Sequence, residues 1–126
     1  MDLPTQNHLT QLRDLLSYRL RALRSEIDAA GQRRMEMPDG GPRDVRDRKE
    51  DAAEAMSSGI EAAEVERDVE EMAQVEAALR RLDEGVYGDC LDCGEPIPLQ
   101  RLFVQPAAER CAACQAAKER LALHDR

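Results

Sequence analysis

The stretch Leu9-Thr10-Gln11-Leu12-Arg13-Asp14-Leu15-Leu16-Ser17-Tyr18-Arg19-Leu20-Arg21-Ala22-Leu23-Arg24-Ser25-Glu26-Ile27-Asp28-Ala29-Ala30 decides the fold. Leu9, Leu16, Leu23, Ala30 and Met37 recur at one heptad position, with Leu20 and Ile27 at the complementary one, which is the pattern of a coiled-coil seam. Arg13 and Arg34 interrupt the complementary row, and Leu12 widens the stripe near its start. A helix is predicted from near Thr5 to just before Pro38-Asp39-Gly40-Gly41-Pro42, where two prolines and two glycines stop it. A second helix is predicted from about Asp44 to Glu84, with a seam through Val65, Val69, Met72, Leu79 and Val86. Two long helices joined by so short a link bury their stripes by folding back on each other as an antiparallel hairpin. Such a hairpin satisfies its own seam, so a monomer is expected.

The rest of the composition agrees with an all-α chain of thin core. Of the 126 residues only 2% are aromatic and 35% are charged, which favours extended helices over a large packed interior. The net charge of -8 opposes a phosphate backbone and argues against broad nucleic-acid binding. Residues 44–84 carry fourteen acids against six bases, so the second helix holds essentially all of that charge. There is no apolar run of about 18 residues and no signal-like start, so a soluble, cytoplasmic protein is expected.

All four cysteines lie in the last third, as Cys90-Leu91-Asp92-Cys93 and Cys111-Ala112-Ala113-Cys114 with seventeen residues between the pairs. Each pair offers two sulfurs on one turn, and the loop between them lets four thiolates close a tetrahedron around one structural Zn(II). A site with four protein ligands has no open position for water or substrate, so hydrolytic chemistry and an enzymatic role are not expected. Disulfides need an oxidising compartment, and a dithiol redox centre needs a mixed sheet-and-helix fold that is not predicted here. The sequence after Cys111 reads as a short C-terminal helix. The organisation predicted is a coiled coil over 1–84 with its tip near 38–52, then a C4 finger with its helix over 85–126. His8 and His124 read as isolated exposed side chains.

The stretch Gly88-Asp89-Cys90-Leu91-Asp92-Cys93-Gly94-Glu95-Pro96-Ile97-Pro98, with Arg101-Leu102, Pro106 and Cys111-Ala112-Ala113-Cys114-Gln115, resembles the zinc finger of the DksA/TraR family of bacterial transcription regulators. The order of parts agrees, and counting the coiled coil the resemblance covers nearly the whole chain. It implies a protein that binds RNA polymerase, not DNA, and inserts its coiled-coil tip through the secondary channel. The family tip motif, Asp-x-x-Asp-x-Ala, fits two registers. Asp44-Val45-Arg46-Asp47-Arg48-Lys49 supplies both aspartates but puts Lys in the place of Ala; Asp47-Arg48-Lys49-Glu50-Asp51-Ala52 keeps the Ala and replaces the second acid by Glu. The second is preferred, because Asp47 lies 43 residues before Cys90, the family's gap-free separation. The resemblance thus implies Asp47, Glu50 and Ala52 as the tip residues facing the polymerase active centre.

One departure bears on regulation. Where ppGpp-responsive relatives carry basic residues, this chain has Gln74, Gln105 and Gln115. A neutral amide cannot neutralise a phosphate, so weak or absent ppGpp dependence is expected. Two other readings come from different classes. A Gre-like transcript-cleavage factor would share the coiled-coil idea but not a four-cysteine finger. A finger binding nucleic acid directly would have to work with Arg101, Arg110, Lys118, Arg120 and Arg126 against six acids.

Overall fold

The computed structural model describes residues 3–36 and 48–124. Four helices follow in order: α1 (Gln6–Glu36), α2 (Arg48–Glu84), α3 (Leu99–Val104) and α4 (Ala112–His124). Among the described residues there is no strand, only an isolated bridge between Asp89 and Pro96, and no helix is long and apolar enough to cross a membrane. The fold is all-α, as predicted. The turn Pro38–Pro42, Met37 and Asp44 lie outside the described residues.

Local chemistry sets the helix ends. At the start of α1, the Thr5 hydroxyl accepts from His8 N–H at 3.2 Å while His8 Nδ1 accepts from Thr5 N–H at 3.1 Å. This is a capping box with histidine where Glu or Gln is usual. His8 is therefore not the free exposed side chain expected from the sequence: it is half-buried, with its ring edge against Phe103 at 5.9 Å between centroids. At the end of α2, Gly85 stops the helix with φ 77. Its N–H donates to Leu82 C=O at 3.3 Å and Val86 N–H donates to Arg81 C=O at 2.9 Å, the two bonds of a Schellman motif.

The chain forms two compact units. The second, Arg21–Ala73, pairs the middle of α1 with the first part of α2. Leu23 is fully buried there, Ile27, Ala30, Val65, Asp68 and Met72 are half-buried, and Glu26 shares a groove with Glu64, Arg67, Asp68 and Glu71. The first unit joins α1 up to Leu20 to the residues from Gln74 onward. In it Leu12, Leu16, Val75 and Ala78 are buried, and Arg13 pairs with Asp83 at 2.9 Å, so the helices run antiparallel.

The α2 seam needs two corrections. Val69 is 44% exposed and Val86, beyond the Gly85 stop, is 51% exposed. Val65, Met72 and Leu79 sit on one heptad row as predicted, but three-four alternation places the partner row at Asp68, Val75 and Leu82. Val69 falls one residue off that row and faces water.

Leu12 reaches beyond the helix pair. It belongs to one buried cluster with Cys90, Ile97 and Leu102, against which Tyr87, Leu99, Phe103, Cys111 and Cys114 pack. The apolar support of the C-terminal segment is therefore partly supplied by α1. Leu12→Ala is expected to destabilise the metal-loaded protein by about 2–5 kcal/mol, the cost of a cavity at a fully buried leucine. Urea unfolding followed by circular dichroism measures it, and a change below about 1 kcal/mol would contradict this packing.

Candidate metal centre

The first cysteine pair sits in a tight backbone fold. Cys90 N–H donates to Glu95 C=O at 2.9 Å and Gly94 N–H returns to Cys90 C=O at 3.0 Å. Gly94 has φ 75, a left-handed conformation that an L side chain rarely adopts, and it lets the loop turn back directly after Cys93. Ile97 N–H closes the base of the loop on Gly88 C=O at 2.7 Å. The second pair is helical: Cys111 precedes α4 and Cys114 lies in its first turn, with Gln115 N–H donating to Cys111 C=O at 2.9 Å. Between the pairs, α3 buries Leu102, and Tyr87 O–H donates to Pro106 C=O at 2.8 Å. Burial raises the Tyr87 pKa to about 12, with nearby Arg81 acting the other way.

These elements bring the four sulfurs of Cys90, Cys93, Cys111 and Cys114 within 4.8 Å of one another. The Cys93–Cys111 Sγ separation is 3.9 Å. Four thiolates about 2.3 Å from a central zinc lie roughly 3.8 Å apart, so the arrangement fits a tetrahedral S4 site for one ion. A disulfide needs about 2.0 Å, and all four cysteines are free. Cys90 is 3% exposed, Cys111 and Cys114 are half-buried and Cys93 is exposed.

The thiols are electrostatically uneven. The Cys93 N–H, opposed by burial and assisted by the Cys111 and Asp92 N–H groups, lowers the Cys90 pKa to about 6. Sharing a hydrogen bond with Cys111, and then with Cys90, raises Cys114 to about 12. Cys93 is pulled down most by the Glu95 N–H, yet its contacts with neighbouring thiols leave it raised overall. Four thiolates repel one another at this spacing, and a divalent cation supplies the charge that lets them coexist.

The other sequence-predicted positions fall as follows. Asp47 lies outside the described residues; Glu50 and Ala52 lie in the first two turns of α2. Gln74, Gln105 and Gln115 all belong to the first unit. Gln74 and Gln105 are exposed, and Gln115 is half-buried with its amide donating to Glu119 at 3.0 Å. Sequence reasoning missed the polar contacts around the centre. Arg110 Nε donates to Asp92 at 2.8 Å, Arg101 Nε donates to Arg110 C=O at 3.1 Å, Leu91 N–H donates to Glu109 C=O at 2.9 Å, and Arg81 reaches Glu109 at 3.9 Å. The one signal available was the opposite charge of Asp92, inside the first cysteine pair, and Arg110, next to the second.

Residues 85–120 match the family model for the prokaryotic dksA/traR C4-type zinc finger. The chain is 41% identical over 49 residues to the RNA polymerase-binding transcription factor DksA of Caulobacter vibrioides, a stretch covering 39% of this chain and 34% of that relative. To the protein of the same description from Haemophilus influenzae it is 40% identical over 48 residues, 38% of this chain and 33% of the relative. The matched stretch thus spans about a third of the length of these curated relatives. Over the fold, the structure of transcription factor DksA2 from Pseudomonas aeruginosa superposes with a TM-score of 0.74 at 27% identity, covering 94% of this chain and 88% of that one.

Proposed function

From a C-terminal segment that is a C4 zinc finger of the dksA/traR type, on a chain with the fold of a DksA2 structure, we propose that this protein is a DksA-like regulator that binds RNA polymerase. The observation that carries the reading is the combination: four sulfurs gathered for one structural Zn(II), on a base shared with a long antiparallel helix pair. In this reading the tip of the helix pair enters the polymerase secondary channel. Asp47, Glu50 and Ala52 form the tip; of these, Glu50 lies in the first turn of α2, where a helix dipole favours negative charge. The protein acts in the cytoplasm as a monomer, without catalytic activity of its own, by changing how polymerase initiates.

Gln74, Gln105 and Gln115 support an action with weak or no ppGpp dependence. An arginine or lysine would meet a phosphate with a charge-assisted hydrogen bond, and an amide offers only a neutral one. Multi-round transcription from a ribosomal-type promoter with purified bacterial polymerase tests both parts of the proposal. Added protein is expected to change transcript yield, with little or no further change when ppGpp is present. An unchanged yield at saturating protein would contradict the regulator reading, an effect that requires ppGpp would contradict the assignment of the three glutamines, and RNA shortening in stalled complexes would instead indicate a cleavage factor.

A further inference from the structure

The two cysteine pairs are joined by contacts that involve no sulfur. Leu91 and Asp92 are the residues between Cys90 and Cys93, and Glu109 and Arg110 are the two residues before Cys111. They meet in register. Leu91 N–H donates to Glu109 C=O at 2.9 Å, and Arg110 Nε donates to Asp92 Oδ2 at 2.8 Å. The Arg110 guanidinium also contacts Glu109 at 3.5 Å, and the Arg110 carbonyl accepts from Arg101 Nε at 3.1 Å, which ties the same residue to α3.

We infer that Asp92 and Arg110 are positioning residues of the metal centre: a latch across the two cysteine pairs that slows release of the ion. A four-sulfur site opens when one pair swings away from the other, and seventeen residues of intervening chain separate Cys93 from Cys111. The latch spans the gap that such opening has to widen. Its bond is charge-assisted, and the Arg110 side chain is only 17% exposed, so water competes poorly at the donor end. Asp92 is 47% exposed, which makes the pair a small contributor to global stability. Its effect is read in the lifetime of the closed site, because the Arg110–Asp92 contact spans the gap between the two cysteine pairs that release has to widen.

The test uses the full metal-loaded chain. Excess chelator with a chromogenic reporter gives the metal-release rate for wild type, Asp92→Ala, Arg110→Gln and the double variant, with far-UV circular dichroism checking that α1 and α2 stay helical. Each single substitution is expected to speed release about threefold, the scale of a half-exposed ion pair, and the double variant to release no faster than the faster single one, because both remove the same link. Release from Asp92→Ala at the wild-type rate would overturn the inference, and this variant suffices if Arg110→Gln does not fold. A double variant whose acceleration is the product of the two single ones would overturn it as well, since the residues would then act separately.

Discussion

Cys93→Ser is expected to unfold the segment from Gly85 to His124, while the part of the helix pair in Arg21–Ala73 remains helical. The apolar cluster of the finger explains why. Its buried members are Leu12, Cys90, Ile97 and Leu102, of which one is itself a ligand and one is borrowed from α1. A fully buried Leu or Ile contributes roughly 1.5–3 kcal/mol, whereas structural zinc supplies apparent binding energies of about 10–16 kcal/mol in finger peptides. Losing one of four thiolates removes most of what the zinc supplies. Amide exchange and limited proteolysis should therefore show fast exchange and new cleavage between 85 and 124 in the variant, and in wild type treated with chelator. Metal analysis of the untreated protein should find one ion per chain. A finger that stays protected after complete metal removal would contradict this account.

The same centre makes the protein acid-sensitive, and the sign follows from the thiols. Metal binding requires thiolates, so it drives protons off Cys93 and Cys114, whose pKa values are raised, the latter to about 12. Cys90, lowered to about 6, is already mostly ionised at neutral pH. Because the bound state holds fewer protons, affinity rises with pH and falls as protons return. Metal retention is expected to weaken steadily on acidification and to drop further below about pH 6, where Cys90 also gains its proton in the free state. Retention independent of pH over that range would exclude thiolate ligation.

The metal ligands were legible in the sequence because their chemistry depends on spacing alone: two Cys-x-x-Cys pairs declare themselves without knowledge of the fold. The α1 seam was legible for a similar reason, since Leu9, Leu16 and Leu23 repeat at seven-residue spacing, although Leu15 beside Leu16 is exposed and Leu12, off that row, is fully buried. The α2 seam was harder. Ala78 is fully buried yet too small to stand out, and Val69 is bulky enough to imitate a core residue while facing water. Asp68, half-buried on the seam, runs against any hydrophobic count. Six-residue α3 is too short for a period to show, and Pro98 just before it reads as a break. The Asp92–Arg110 latch and the His8 contact with Phe103 join positions far apart in the chain, so nothing local announces them.

Asp47→Asn combined with Glu50→Gln is expected to abolish the effect on initiation while leaving polymerase binding intact. The two carboxylates are three positions apart in the sequence, and they are the acids that the resemblance assigns to the tip. Neutral amides of the same shape remove the charge and leave the bulk of the tip unchanged. Binding should survive because the substitutions leave the finger and the buried seam residues Leu12, Leu16, Leu23, Val75 and Ala78 unchanged. A loss of regulatory effect of at least tenfold corresponds to about 1.4 kcal/mol or more of coupling to the initiation complex. The measurement is a paired one with purified bacterial RNA polymerase: equilibrium binding and transcript yield from a ribosomal-type promoter, for wild type and for the double variant. The account predicts equal binding with the change in yield lost; a double variant that still alters initiation as wild type does would contradict the assignment of the tip.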